Sequence, residues 1–308
     1  MWNFLGRRLL TSFMVLVGVS ILTFMMLHFV PGDPVHAILG RQAVSAEKIE
    51  ELRVRLGLNK PLPVQYFDFV SNAVQGDLGR SIRSNRPVAA AIAEQLPSTL
   101  QLTLAAMSIA ILLGIPAGVF SALHQNDWID SLLTFLTISG VSIPSFFLGL
   151  LLIFVFSTKL NWLSSTASSS DWRGLILPAL TLGLGEAAFL ARLVRSSFLD
   201  ELKKNYLWTA RAKGANERRV LFRHAFPNAL IPIITFASIQ LVYLLAGSVV
   251  VEAIFARQGI GRLAVTAIQN RDFPLVQGVV LTIATMYVLI NTITDILYAF
   301  IDPRIRLQ

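Results

Sequence analysis

Five stretches of this 308-residue chain run for 22 residues or more without an Asp, Glu, Lys or Arg: residues 9–30, 96–126, 131–158, 224–251 and 273–294. A sixth, residues 174–185, continues past Glu186 to Ala191 and reaches 18 residues. A bilayer core about 30 Å thick takes about 20 residues of helix, which each run can supply. In hydrocarbon a backbone N–H or C=O finds no water, so a spanning segment must satisfy its peptide groups internally. The expected fold is therefore all-α and integral to a membrane, with six transmembrane helices. Composition agrees: 54 % of residues are hydrophobic and 14 % charged, where soluble domains carry about 25 % charged.

Six spans put both termini on one side. Arg7 and Arg8 precede the first run, which is longer than a signal-peptide core of about 7–15 residues and has no small-x-small cleavage site after it. It reads as a retained span with a cytoplasmic N-terminus. With that orientation the inner segments hold thirteen Lys/Arg, nine of them in residues 192–223, and the short outer loops hold five. The excess follows the positive-inside rule. Residues 31–95 carry eight more, but a loop that long crosses largely regardless of its charge. The net charge of +8 is thus a topology signal flanking apolar runs rather than a nucleic-acid footprint. The absence of cysteine excludes disulfides, thiolate metal sites and cysteine nucleophiles.

The long outer segment is expected to be ordered. Ser45, Ala46 and Glu47 open a short amphipathic helix with Ile49, Leu52 and Leu56 on one face, closed by Gly57. Residues 59–63 form a turn, and residues 64–74 read as a second helix carrying Tyr66, Phe67, Phe69 and Val70. The segment serves either as a lid on the span ends or as a docking surface for an external partner. Within the spans Pro116, Gly140 and Pro144 mark expected kinks. Gly183, Ala187 and Ala191, spaced by four, form a small-residue ridge suited to close helix packing.

Chemistry is sparse. No phosphate-binding G-x-x-x-x-G-K-[ST] loop occurs, so ATP hydrolysis is not expected of this chain. His28, His36, His124 and His224 are scattered without metal-ligand spacing, and neither a metal site nor a cofactor is expected. Glu186 is the one acid well inside a span. Such groups are costly and face a cavity or a partner, so Glu186 is a candidate for the translocation path or for a structural pair. Asp295 lies nearer a span end, where an ion pair or helix-end hydrogen bond suits it. A membrane-embedded enzyme pairing Glu186 with His28 is the distant rival.

The basic stretch 199–232 reads LDELKKNYLWTARAKGANERRVLFRHAFPNALIP. Its alanines favour helix, Gly214 is a left-handed stop, Asn216 a cap for the next helix and Pro227 its end. Ala210 and Gly214, four apart, are small enough to let another protein approach the backbone, while Arg211 and Lys213 stay available to a carboxylate. The competing reading is a solvated loop that only orients the chain.

This stretch resembles the cytoplasmic coupling loop of bacterial ABC importer permeases: an Ala-rich helix, a glycine at Gly214, and an apolar-proline pair at Phe226-Pro227. Trp208-Thr209-Ala210 stands where that loop carries Glu-Ala-Ala. The resemblance continues through Pro31-Gly32-Asp33-Pro34, Gly76-Asp77-Leu78-Gly79, Ile176-Leu177-Pro178, Gly247-Ser248 with Glu252, Gly259-Ile260-Gly261-Arg262, Arg271-Asp272 and Asp302-Pro303-Arg304. In this order the motifs are similar to the dipeptide/oligopeptide/nickel permease family. The resemblance implies the first permease subunit of a type I importer in the bacterial inner membrane. Its partners would be a second homologous permease, two cytoplasmic ABC ATPases, an extracytoplasmic solute-binding protein and membrane lipid, with no nucleic acid. The cargo would be a di- or oligopeptide, with a nickel chelate or glutathione as the alternatives. Residues 1–95 would form the first helix and outer segment, residues 96–301 the type-1 transmembrane domain with its coupling loop at 199–228, and residues 302–308 a cytoplasmic tail. The ATPase contact would fall on Thr209, Ala210, Arg211, Ala212, Lys213 and Gly214.

Cysteine labelling tests the orientation on a chain with no cysteine of its own. A cysteine at Ser45 should react with an impermeant maleimide in intact cells and one at Asn216 should not; the reverse pattern would overturn the six-span topology.

Overall fold

A computed structural model describes residues 2–28, 46–55, 58–164 and 172–301. The Pro31-Gly32-Asp33-Pro34 motif, His36, Ser45, Leu56, Gly57, residues 165–171 and the 302–308 tail lie outside the described residues, as do the side chains of Ile49, Leu52 and Asp295. The described residues form α1 (Trp2–His28), α2 (Ala46–Arg55), α3 (Leu62–Val74), α4 (Val88–Leu123), α5 (Trp128–Ser142), α6 (Ser145–Leu152), α7 (Arg173–Leu202), α8 (Asn205–Ala212), α9 (Glu217–Arg219), α10 (Phe226–Ile254), α11 (Ile260–Gln269) and α12 (Phe273–Ile301). Helix α6 continues as a π-helical turn over Ile153–Lys159, and α9 as one over Val220–Ala225. The only pairing of extended backbone among the described residues is an isolated bridge between Arg80 and Pro87.

Helices α1, α4, α7, α10 and α12 contain stretches long and apolar enough to cross a membrane, and α5 with α6 makes a sixth span if counted together. That pair bends by 102° at its break. The cause is local: a residue before proline is pushed out of the helical region, and Ile143 is extended at φ −82°, ψ 120°. Of the three expected kinks only Pro144 coincides with a helix break; α4 runs on through Pro116 and α5 through Gly140. The fourth apolar run extends further than its uncharged residues suggest, since α7 carries its basic end on to Leu202.

The chain divides into two compact units, Met1–Pro97 with Arg262–Thr292, and Ser98–Gly261 with Ile293–Gln308. In the first, α3 packs on α1. Tyr66 sets its ring edge-on to Phe24, with centroids 5.5 Å apart, and its hydroxyl lies 2.8 Å from Ser20 Oγ. Phe69 closes on the same Phe24 at 6.0 Å, whereas Phe67 stays exposed. The Gly76–Gly79 motif is a turn in which the Asp77 carboxylate accepts from the Gly79 N–H at 2.9 Å. Just beyond it, buried Asp272 accepts from the Ser81 hydroxyl and, at 3.1 Å, from the Ile82 N–H. Asp272 of the second motif is thus tied to the residues that follow the first, and the acid carries the hydrogen bonds its burial demands.

The second unit is organised around α7. Gly114 and Gly118 of α4 face the backbone of Ala187 and Ala191, and Gly183 of α7 faces the backbone of Ala106. The ridge expected at Gly183, Ala187 and Ala191 is thus a seam with α4, closed by glycines from both helices. Leu102, Leu177, Leu182, Leu244, Val251 and Phe255 fill the core beside it. At the end of α10, Thr99 Oγ1 donates to fully buried Glu252 at 2.6 Å and accepts from the Ile260 N–H at 2.8 Å.

The seam predicts an asymmetric response to one methyl group. A Cβ at Gly118 would sit 2.5 Å from the Ala191 carbonyl oxygen and 2.6 Å from Val194 Cβ, whereas one at Gly18 of α1 meets nothing within 4 Å. Gly118→Ala should lower the thermal midpoint in detergent, through overpacking of about 1–3 kcal/mol; Gly18→Ala should leave it almost unchanged. Equal midpoints for the two variants would contradict the close contact.

Candidate functional site

The basic loop between α7 and α10 is built from a helix with one buried edge. Lys204, extended at φ −76°, ψ 140°, ends α7's path and lets α8 start at Asn205. Leu207 is fully buried and Ala210, three residues on, packs partly buried on the same cluster of Phe198, Val220, Ala225 and Ala229. Burial of a leucine side chain is worth roughly 2 kcal/mol, enough to anchor a helix too short to stand alone. After Ala212 the chain closes in a Schellman turn. Gly214 takes φ +80°, its N–H donates to the Arg211 carbonyl at 2.9 Å and the Ala215 N–H to the Ala210 carbonyl at 3.2 Å. Asn216 Oδ1 then accepts from the Arg219 N–H at 2.9 Å and caps α9.

Pro227 does not end that helix. The backbone passes from α9 through the π-helical turn into α10, with Pro227 in the first turn of α10. Proline's fixed φ of about −65° suits a helical position, and the one N–H it lacks is lost at the junction of the two helical turns.

Of the six loop residues, Arg211 turns back along the loop. Its Nε donates to Glu217 Oε1 at 2.7 Å, its Nη2 to Oε2 at 3.3 Å, and its guanidinium lies 5.5 Å from the Trp208 ring centroid. The pairing raises the Arg211 pKa and lowers that of Glu217. Thr209, Ala212, Lys213 and Gly214 are exposed, beside a Trp208 that is 64 % exposed. Ala210 is not on this outward face; helical spacing puts it with Leu207 on the inner edge, and the small outward side chain is Ala212.

A polar clamp that no sequence spacing announced holds the loop's root. The Tyr206 hydroxyl donates to Glu201 Oε1 at 2.5 Å, accepts from Asn228 Nδ2 at 2.9 Å and lies 3.0 Å from the His224 carbonyl oxygen. Glu201 is buried and also binds Lys204 Nζ at 2.7 Å. Burial first, and then the Glu201 carboxylate, push the Tyr206 pKa up to about 12, so the phenol stays a donor through the physiological range. The clamp joins the end of α7, the start of α8 and the start of α10.

Glu186 sits half-buried in α7, where its carboxylate accepts a short hydrogen bond from Gln240 Nε2 of α10. It lines a cavity of about 140 Å³ with Ser145, Thr181, Gly185, Tyr243 and Gly247, at the bend between α5 and α6. Tyr243 is 64 % exposed there. His28 lies in the other unit, beside Gln65 Oε1 at 3.3 Å. Among the described residues no three His, Asp or Glu side chains gather where they could hold a metal ion.

Residues 114–307 match the model of the family described as "Binding-protein-dependent transport system inner membrane component", and residues 1–103 match the N-terminal model of the same membrane component. The chain is 45 % identical over 306 residues to the protein named "Glutathione transport system permease protein GsiC" in Escherichia coli K12, covering 99 % of each chain. It shares the same identity and coverage with the protein of that name from Shigella dysenteriae. Its fold is similar to the methionine ABC transporter MetNI in inward-facing conformations, with a TM-score of 0.60 over 69 % of this chain and 96 % of that one at 19 % identity. The spans, the fold and both family matches agree: the chain belongs to the inner-membrane components of binding-protein-dependent transport systems, as a permease subunit of an ABC importer.

Proposed function

We propose that this chain is one of two homologous permeases that together form the path for a short peptide, with glutathione among its cargoes. The observation that carries the cargo class is the full-length similarity to glutathione permeases, 45 % identical over 99 % of both chains. Its test is calorimetric titration of the cognate solute-binding protein: glutathione or a dipeptide should bind tightly, and tight binding of a ligand without a peptide bond would overturn the peptide reading. Residues 1–95 supply the first span and the outer segment, residues 96–301 the transporting domain, and the 199–228 loop faces the cytoplasm, as the distribution of Lys and Arg supports.

In this reading α8 is the coupling helix. Closure of the two ATPases on ATP pulls it, and the Leu207 anchor with the Tyr206 clamp passes the pull to α7 and α10, so the path opens to the loaded binding protein. The exposed row of Trp208, Thr209, Ala212, Lys213 and Gly214 supports a contact on that face. Glu186, on the cavity at the α5–α6 bend, faces the ammonium group of the cargo.

Two substitutions separate contact from fold. Ala212→Trp adds bulk on the exposed face and should leave insertion and the second permease intact. It should weaken ATPase binding about tenfold or more, the effect of 1–3 kcal/mol of overpacking. Ala210→Trp should instead destabilise the permease itself, since Ala210 packs on the core cluster. Normal ATPase stimulation by loaded binding protein in Ala212→Trp would remove α8 as the coupling contact.

Glu186→Gln keeps the shape of the cavity wall and removes the charge. Transport should fall several-fold while assembly and basal ATPase rate hold. Wild-type transport, or loss of assembly, would leave Glu186 a structural partner of Gln240.

A further inference from the structure

A second cavity, of about 300 Å³, lies among α4, α5 and α7, away from the one that holds Glu186. Ala117, Leu133 and Ile138 give it apolar walls, and Thr134, Arg192 and Arg195 give it polar ones. The two arginines differ in what they can offer. Arg195 grips Asp130 in a fork, Nε to Oδ1 and Nη2 to Oδ2, both at 2.7 Å, and Ser121 donates to the same carboxylate at 2.5 Å. That pair is neutral. Arg192 makes no ion pair among the described residues; its guanidinium lies 5.5 Å from the Phe189 ring centroid and is exposed. The cavity therefore carries one uncompensated positive charge beside apolar walls.

Depth identifies what meets such a charge. Arg192 follows Arg173, the first residue of α7, by 19 positions with no Lys or Arg between them. At 1.5 Å per residue the two lie roughly 28 Å apart along the helix, close to the thickness of the hydrocarbon core. Arg192 thus stands where acyl chains give way to headgroups. A guanidinium presents forked donors that match a phosphodiester, and basic pockets between spans on the cytoplasmic side take anionic headgroups. Free phosphate would leave the walls formed by Ala117, Leu133 and Ile138 in water, whereas the glycerol and upper acyl carbons of a lipid cover them.

We propose that this cavity binds the headgroup of an anionic phospholipid from the cytoplasmic leaflet, with Arg192 as its phosphate contact. The proposal rests on the orientation given above, which cysteine labelling tests independently.

The test uses the assembled transporter in nanodiscs of phosphatidylethanolamine and phosphatidylglycerol, read by native mass spectrometry during stepwise delipidation. Wild type should retain phosphatidylglycerol selectively on the permease after bulk lipid is gone. Arg192→Gln should retain it roughly tenfold less, the loss of one charge-assisted contact. Ala117→Leu, which fills the cavity and keeps the arginine, should lose it as well. Equal retention in Arg192→Gln would overturn the site. So would displacement of the lipid by inorganic phosphate, which would make it a plain anion site. Loss of the second permease from Arg192→Gln would overturn it too, by making this face a subunit interface.

Discussion

The close approach of α4 and α7 is the contact on which the second unit depends. In lipid, apolar side chains gain little by leaving the hydrocarbon for one another, so helices associate through backbone proximity and matched surfaces. Gly114, Gly118 and Gly183 provide that proximity, each facing a carbonyl of the opposite helix at a distance no Cβ could share. With the seam closed, α7 presents Glu186, Arg192, Arg195 and Glu201 at successive depths along one helix. The acid of the cavity wall, the exposed arginine, the ion pair and the loop clamp are placed together by it.

From its end α7 holds the basic loop of residues 199–228 in two ways. Leu207 and Ala210 seat α8 on a cluster made by Phe198, Val220, Ala225 and Ala229, which joins the end of α7 to the start of α10. Tyr206 adds a directional link across the same junction through Glu201 and Asn228. An apolar seat resists separation, while a hydrogen-bonded clamp resists rotation, so displacement of α8 reaches both spans. The Arg211–Glu217 pair is exposed at the far side of the turn and is worth little by comparison.

The break at Pro144 shapes the cavity that Glu186 lines. An unbroken helix from Trp128 to Lys159 would pass the Glu186 cavity with its polar groups paired along the axis. The 102° bend instead brings Ser145 into the cavity wall beside Glu186 and Tyr243. Glu186 keeps a hydrogen-bond donor in Gln240, as a carboxylate in such surroundings requires.

The spans were legible in the chain itself because hydrocarbon leaves a long apolar run no alternative to helix, and the loop's helix stop and cap were legible because Gly214 and Asn216 act through their immediate neighbours. Pro144 reads as a break for the same local reason. What the linear pattern could not decide was which side of α8 faces inward. Ala210 and Ala212 are equally small, and only the position of Phe198 and Val220 around the helix makes the first a core residue and the second a surface one. The Tyr206–Asn228 and Asp130–Arg195 contacts join residues 22 and 65 positions apart; no local spacing encodes them, because they form only once α7 has been set against α4, α5 and α10. The run through Pro227 was not legible either, since a proline reads equally as a helix stop or as a first-turn residue, and only the folded chain, with the π-helical turn leading straight into α10, decides between them.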